Sequence, residues 1–154
     1  MAKEIERKFL LDVNKWAYTG VPTKMEQAYL TIENDKVVRV RIAGDKAFLT
    51  IKGNLSGITR DEFEYEIPVD DAKQLMKMCI GNVVSKTRYV IPIQDKKWEI
   101  DVFEGDNLGL IVAEIELDNE NETIEMPDWI IEEVSTDRKY YNFNLSKNPY
   151  RNWQ

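Results

Sequence analysis

Acidic and basic side chains recur at every second position in several short segments of this 154-residue sequence. The acidic pairs are Glu4-x-Glu6 and Glu114-x-Glu116, and the basic pairs include Arg39-x-Arg41 and Lys86-x-Arg88. Carboxylate oxygens suit hard divalent cations such as Mg²⁺ and Mn²⁺, whereas clustered guanidinium and ammonium groups bind polyanions. Together the two sets are typical of a site that holds a polyphosphate with a divalent cation.

The composition excludes several other chemistries. The chain has no histidine and one cysteine, Cys79, so Ser-His-Asp triads, Cys-His dyads, histidine-ligated zinc and intrachain disulfides are impossible. With 28 acidic and 21 basic residues, the net charge of -7 disfavours general nucleic-acid binding. No signal peptide, long apolar run or linker is apparent. We therefore expect one domain over residues 1–154, a cytoplasmic location, and no nucleic-acid or membrane partner.

Alternation of apolar and polar residues, punctuated by turn signals, predicts an α+β fold dominated by an antiparallel sheet. Eight strands are expected, at Lys3–Leu11, Glu26–Ile32, Lys36–Ala43, Lys46–Lys52, Arg60–Pro68, Val83–Ile93, Lys97–Glu104 and Gly109–Leu117. Three helices are expected, at Asp12–Tyr18, from Asp70 or Asp71 to Cys79 with Gly81 as the stop, and at a segment opened by Pro127-Asp128 with Trp129, Ile130 and Ile131 in its first turn. The stretch Asp137–Leu145 is ambiguous.

The charged residues of these strands fall on one face, because residues i and i+2 of a strand point the same way. A solvated sheet surface explains any single pair. Collectively, however, like charges stand side by side, which destabilises an exposed sheet, and eight strands suffice to close a small barrel. A few helices can cover the outside of such a barrel but cannot fill it, so we predict the charged face inside.

Sixteen charged groups would then line the interior: Lys8, Arg39, Arg41, Lys52, Arg60, Lys86, Arg88, Glu4, Glu6, Glu62, Glu64, Glu66, Glu99, Asp101, Glu114 and Glu116. Burying an ion in a dry interior costs several kcal/mol, roughly, even after relaxation. We therefore expect a wide, wet lumen whose charges are paired or bind a charged ligand.

The same segments resemble a known family. The start Glu4-Ile5-Glu6-Arg7-Lys8 is similar to the Glu-x-Glu-x-Lys signature of the CYTH superfamily, the triphosphate tunnel metalloenzymes. Further segments follow in that family's order: Gln27–Leu30, Arg39–Arg41, Leu49–Lys52, Arg60–Pro68, Lys86–Tyr89, Trp98–Phe103, Glu114–Glu116 and a tail from Pro127 to Leu145. The resemblance spans nearly the whole chain and implies an eight-stranded antiparallel barrel, a tunnel that binds a triphosphate.

The resemblance also implies roles for individual residues. The expected ligands of Mg²⁺ or Mn²⁺ are Glu4, Glu6, Glu114 and Glu116. The expected phosphate ligands are Arg39, Arg41, Lys52, Lys86 and Arg88. The expected catalytic residues are Lys8, beside the metal carboxylates, and Tyr29 with Lys86, which match a tyrosine–lysine pair proposed in some members to activate water. The acidic residues expected to support the site, by holding a second metal or fixing basic side chains, are Glu62, Glu64 and Asp101.

The expected activity is metal-dependent hydrolysis of inorganic tripolyphosphate or of an organic triphosphate. Phosphoryl transfer requires mainly positioning and charge neutralisation, which such a site supplies without histidine. Two alternatives share the same tunnel: a class IV-type adenylate cyclase and a non-catalytic polyphosphate-binding module. The sequence contains no feature dedicated to adenine, which favours the hydrolase. A homodimer is compatible with a domain of this size.

Overall fold

The computed structural model describes residues 3–153, which form nine β-strands, two α-helices and three short 3₁₀ turns. The strands are β1 (Lys3–Leu11), β2 (Val21–Glu33), β3 (Lys36–Ala43), β4 (Lys46–Ser56), β5 (Thr59–Ile67), β6 (Ile80–Ile93), β7 (Lys96–Phe103), β8 (Ile111–Glu116) and β9 (Ile130–Glu133). The helices are α1 (Val69–Met76) and α2 (Asn142–Lys147). Neither helix in this part of the chain is long and apolar enough to cross a membrane.

Eight of the strands form a closed antiparallel ring in the order β1-β5-β4-β3-β2-β6-β7-β8 and back to β1. One edge of β1 pairs with β8 along Glu6–Leu10. The other edge is shared, since Lys3–Ile5 pair with β5 and Phe9–Leu11 pair with β9. The predicted eight-stranded antiparallel barrel is therefore confirmed, and β9 is an additional strand outside the ring.

Apolar side chains cover the outer face of the barrel. Phe9 of β1 and Trp98 of β7 are buried against Trp129, which lies just before β9. On β3 and β4, α1 packs through Ala72, which is buried against Val40. The predicted orientation, with the apolar face outward and the charged face inward, is thus confirmed.

The second helix, α2, packs across one end of the barrel instead of along its outer face. Leu145 is fully buried against Val84 and Phe103, which occupy inward-facing positions at this end. Phe143 packs edge-on to Tyr29, with ring centroids 6.5 Å apart. Because the inward-facing side chains are apolar here, the ambiguous C-terminal stretch folds as a 3₁₀ turn followed by α2 and closes this end.

Two predicted helices are wrong. After β1, the side chain of Asp12 accepts a hydrogen bond from the backbone N–H of Asn14 at 2.9 Å, forming a turn. Tyr18 then adopts φ 55, so a helix cannot continue through it. The segment opened by Pro127 forms a turn and then β9, because Ile130–Glu133 pair with the edge of β1 that β5 leaves free.

The boundaries around α1 also differ from the prediction. The helix follows Pro68 and ends at Met76, before the predicted end at Cys79. Gly81 lies within β6 instead of terminating the helix, and it adopts φ +68. A Cβ atom on Gly81 would lie 2.8 Å from the carbonyl oxygen of Ser146, so glycine here permits the close approach of α2.

Candidate active site

The barrel encloses a cavity of about 340 Å³ whose wall is dominated by charged side chains. Fourteen of the sixteen groups predicted to point inward line it: Lys8, Arg39, Arg41, Lys52, Arg60, Lys86, Arg88, Glu4, Glu6, Glu62, Glu64, Glu99, Glu114 and Glu116. The other two do not, because Glu66 is exposed and Asp101 is fully buried behind the wall. The period-two alternation therefore selects every charged side chain that lines the cavity, together with two that do not.

The neighbouring strands β1 and β8 gather carboxylates on one side of the cavity. Their register pairs Glu6 with Glu116 and Lys8 with Glu114. Lys8 Nζ lies 2.7 Å from Glu114 Oε1 and 3.2 Å from Glu6 Oε1. One ammonium group thus bridges two of the four carboxylates that the sequence assigns to metal binding.

On this side the carboxylates outnumber the basic side chains that contact them, and burial further disfavours their ionised form. Burial and the neighbouring charge of Glu114 raise the pKa of Glu6 to about 8. Burial, followed by the charges of Glu4 and Glu62, also raises the pKa of Glu116. A bound divalent cation would offset that excess, and an all-oxygen donor set suits a hard cation. The residues therefore fit the predicted metal.

Two further carboxylates on this side, Glu4 and Glu62, are held by basic side chains. Lys52 Nζ lies 3.2 Å from both oxygens of Glu4 and 3.3 Å from Glu62 Oε2, while Arg60 Nε lies 3.9 Å from Glu4 Oε1. Burial raises the pKa of Glu4, but the charges of Lys52 and Arg60 outweigh it and leave the pKa below its usual value.

Within residues 3–153, no three carboxylate or thiol side chains are already arranged around one point as a metal site.

A buried trio of Lys86, Arg88 and Asp101 lies at another part of the wall. Lys86 Nζ is 2.7 Å from Asp101 Oδ2, and Arg88 binds the same carboxylate in a bidentate manner, through Nε at 2.7 Å and Nη2 at 2.9 Å. Burial raises the pKa of Asp101, yet Arg88 and Lys86 outweigh it and hold the pKa at about 2. Asp101 thus fixes two basic side chains that line the cavity.

Because Lys86 shares the Asp101 carboxylate with Arg88, the positive charge of Lys86 is only partly compensated. Burial lowers its pKa to about 7, because the attraction of Asp101 is opposed by the charges of Arg88 and Arg41. Arg41 is affected in the same way, and its pKa falls to about 9 through burial and the charges of Arg39 and Arg88. This part of the wall therefore carries an excess of positive charge that favours an anionic ligand.

Arg39 completes the basic wall. Its Nη2 donates to Thr50 Oγ1 at 3.1 Å and to Glu64 Oε2 at 3.4 Å. Its Nε is buried and has no hydrogen-bond partner among residues 3–153, although the Arg39 side chain lines the cavity. A buried donor without a partner is uncommon, so the hydrogen-bonding capacity of Arg39 is only partly used by the protein.

The family assignment follows from the whole chain. The family model of the CYTH domain matches residues 2–149. The chain belongs to the CYTH family. The family expected from the motifs is therefore confirmed.

Relatives of this CYTH protein cover nearly its whole length. An inorganic triphosphatase of Acetivibrio thermocellus is 44% identical over 155 residues, covering 100% of this chain and 99% of the relative. An inorganic triphosphatase of Nitrosomonas europaea is 35% identical over 148 residues, covering 93% of this chain and 96% of the relative. The crystal structure of an inorganic triphosphatase matches with a TM-score of 0.67 at 33% identity, covering 95% of each chain.

Two residues that the sequence did not single out also belong to this CYTH site. Gln27 is fully buried and accepts a hydrogen bond from Arg41 Nε at 2.9 Å. Asn142 accepts one from Lys86 Nζ at 3.0 Å. The alternation of β2 places Gln27 on the same face as Tyr29 and could have indicated it. Asn142 follows the last strand, so no strand periodicity points to it.

Proposed function

We propose that this CYTH protein is a divalent-metal-dependent triphosphatase whose preferred substrate is inorganic tripolyphosphate. The observation that carries the proposal is the sorted charge of the cavity: carboxylates with an excess of negative charge adjoin a basic wall with an excess of positive charge. The names of the two relatives support the reaction. At about 340 Å³ the cavity is at the small end of ligand sites, which suits a compact substrate.

The basic wall would bind the phosphates. We assign this role to the five basic residues whose side chains line the cavity from β3, β4 and β6: Arg39, Arg41, Lys52, Lys86 and Arg88. Guanidinium forks suit phosphate oxygens because two parallel donors meet two acceptors. Asp101 supports this wall by orienting Lys86 and Arg88, and Glu64 supports it by contacting Arg39.

The carboxylates of β1 and β8 would hold Mg²⁺ or Mn²⁺. We assign the metal to Glu4, Glu6, Glu114 and Glu116, and a supporting role to Glu62, which shares Lys52 with Glu4. When bound, the cation would neutralise phosphate charge and polarise the phosphorus–oxygen bonds. Lys8 and Lys52 contact these carboxylates and also line the cavity, so both ammonium groups would adjoin the bound phosphates.

Water activation would use the groups whose protonation states fit the task. Burial lowers the pKa of Lys8, but the charges of Glu114 and Glu6 outweigh it and raise the pKa, so Lys8 stays protonated and would orient the water or a phosphate oxygen. Lys86, with a pKa of about 7, can accept a proton near neutrality. Water would attack the terminal phosphorus, its proton would pass to the base, and the bridging P–O bond would break to release orthophosphate and pyrophosphate.

A phosphate-release panel tests the proposal. Tripolyphosphate, ATP, thiamine triphosphate and longer polyphosphate are each supplied with Mg²⁺, Mn²⁺ or Ca²⁺, and a chelator provides the metal-free control. We expect release from tripolyphosphate that requires Mg²⁺ or Mn²⁺. Cyclic AMP formed from ATP would instead identify a cyclase, and tight binding without turnover would identify a polyphosphate-binding module.

Other properties inferred from the sequence stay predictions. They are a single domain over residues 1–154, a cytoplasmic location, a homodimeric state, and the absence of nucleic-acid and membrane partners.

A further inference from the structure

A chain of side-chain amides connects the basic wall to Lys86. Asn142 Oδ1, at the start of α2, accepts hydrogen bonds from Lys86 Nζ at 3.0 Å and from Gln27 Nε2 at 3.3 Å. Gln27 Nε2 also donates to Tyr29 Oη at 3.0 Å, while its Oε1 accepts from Arg41 Nε at 2.9 Å. Two amides thus join three side chains that face the cavity.

The chemistry of the partners fixes the orientation of both amides. Guanidinium and ammonium groups only donate hydrogen bonds, so Gln27 must present its oxygen to Arg41 and Asn142 must present its oxygen to Lys86. The Gln27 nitrogen then faces Tyr29, whose hydroxyl oxygen accepts and whose proton stays available to a group in the cavity. Reversing either amide would place donor against donor at a buried position.

Among residues 3–153, Lys86 Nζ has two hydrogen-bond acceptors, Asp101 and Asn142. Lys86 faces the charges of Asp101 on β7, Arg88 on β6, Arg41 on β3 and Glu114 on β8. Asp101 is engaged by both oxygens in the bidentate bond with Arg88, so it is shared between two cations. Without Asn142, the fully buried Lys86 would depend on that shared carboxylate alone.

We propose that Asn142 is a positioning residue that, linked through Gln27 to Tyr29 and Arg41, fixes Lys86 in the site. On this account α2 contributes to the chemistry as well as closing the end of the barrel. The kinetic consequence rests on the proposed triphosphatase activity. The effect on Lys86 itself does not.

Two substitutions at Asn142 test the kinetic consequence. Asn142→Ala removes an acceptor that favours charged Lys86, and Asn142→Asp replaces it with a carboxylate of the same size. We expect Asn142→Ala to lower kcat for tripolyphosphate by roughly 10- to 100-fold with a smaller change in KM. The limb of the pH profile governed by Lys86 should move to lower pH in Asn142→Ala and to higher pH in Asn142→Asp. A merely structural role would lower activity without moving that limb.

A direct titration of Lys86 tests the inference without relying on activity. NMR of lysines labelled at Cε gives the proton affinity of Lys86, whose signal is assigned by its loss in Lys86→Arg. We expect an affinity about tenfold lower in Asn142→Ala and higher in Asn142→Asp. It should be unchanged in the control Asn144→Ala, since the Asn144 amide donates to the carbonyl of Arg138 in the preceding 3₁₀ turn.

The two proposals fail in different ways. If the affinity of Lys86 is the same in both Asn142 variants and the wild type, the inference about Asn142 is overturned even in an active triphosphatase. If that affinity moves as expected but the wild type hydrolyses no triphosphate, positioning by Asn142 stands and the proposed function is overturned.

Discussion

Lys86 combines a role in the site with an unfavourable position in the fold. Its side chain is 0% exposed, as is that of Asp101. Arg88 already satisfies both oxygens of Asp101, so the carboxylate does not require Lys86. Replacing part of a buried ion network by an apolar side chain is often neutral or stabilising. We therefore infer that Lys86 serves the chemistry of the cavity at the expense of stability.

Lys86→Met should stabilise the protein and abolish hydrolysis. At or below pH 7 we expect a gain of roughly 1–4 kcal/mol in the free energy of unfolding. The pKa of Lys86 is about 7 in the folded chain, against an ordinary lysine value of 10.5. Between these values the unfolded chain binds more protons, so wild-type stability rises with pH and the advantage of the variant shrinks.

Urea denaturation at several pH values measures this difference. Lys73→Met, at an exposed position of α1, is the matched control and should show no such pH-dependent gain. A Lys86→Met variant less stable than the wild type at pH 6 would show that the ammonium group stabilises the fold.

The carboxylates proposed to bind the metal give a second prediction for individual residues. Glu6→Gln and Glu116→Gln should each lower metal-dependent turnover by more than about 100-fold, since even residues behind a metal ligand typically contribute 10- to 100-fold. Glu66→Gln is the control, because Glu66 lies on β5 but does not line the cavity. The measurement is kcat/KM across a Mg²⁺ titration. Unchanged rates in the first two variants would show that the metal binds elsewhere.

Among the elements, the strands of the ring and α1 could be predicted from the sequence, whereas β9, α2 and the turn after β1 could not. Along each strand of the ring, apolar and polar residues alternate. In the barrel, the apolar residues face the outer packing and the charged residues face the cavity. β9 has only four residues, and Pro127 with the apolar residues after it looks like a helix start. Its strand conformation is decided by the free edge of β1, a tertiary feature that no local pattern reports.

The contact between β6 and α2 gives a prediction that separates backbone conformation from crowding. Gly81 and Gly105 both have positive φ, but a Cβ atom on Gly105 meets nothing within 4 Å, whereas one on Gly81 lies 2.8 Å from Ser146 O. Gly105→Ala should cost about 1–2 kcal/mol of stability. Gly81→Ala should cost more than that, because α2 must move. Thermal unfolding of the two variants measures the difference, and equal losses would contradict close packing of α2.

At the scale of the whole molecule, the net charge of -7 describes the site poorly. The alternation of side chains between the two faces of a strand predicts which charged side chains face inward, and fourteen of the sixteen predicted line the cavity. This alternation does not predict how deeply an inward-facing side chain is buried, so the burial of Asp101 behind the cavity wall could not be predicted from the sequence. The contact between Asn142 and Lys86 could not be predicted either, because it depends on how α2 packs across the end of the barrel.

Like charges lie close together inside the barrel. We therefore expect a bound polyphosphate and divalent cation to stabilise the whole fold. Tripolyphosphate with Ca²⁺ or Mg²⁺, at about 100 times Kd, should raise the free energy of unfolding by about 2.7 kcal/mol, or Tm by roughly 5–10 °C for a chain of this length. Differential scanning fluorimetry measures the shift, and sodium sulfate at equal ionic strength is the control. An equal shift with sulfate would indicate general screening instead of a specific site.

The proposed function requires that a triphosphate is cleaved at its terminal bond inside this cavity. ³¹P NMR of tripolyphosphate with the wild-type protein and Mg²⁺ follows the substrate and both products at once. We expect orthophosphate and pyrophosphate to appear in equal amounts, and neither to appear with Glu116→Gln. An unchanged tripolyphosphate spectrum with the wild type in both Mg²⁺ and Mn²⁺ would contradict it.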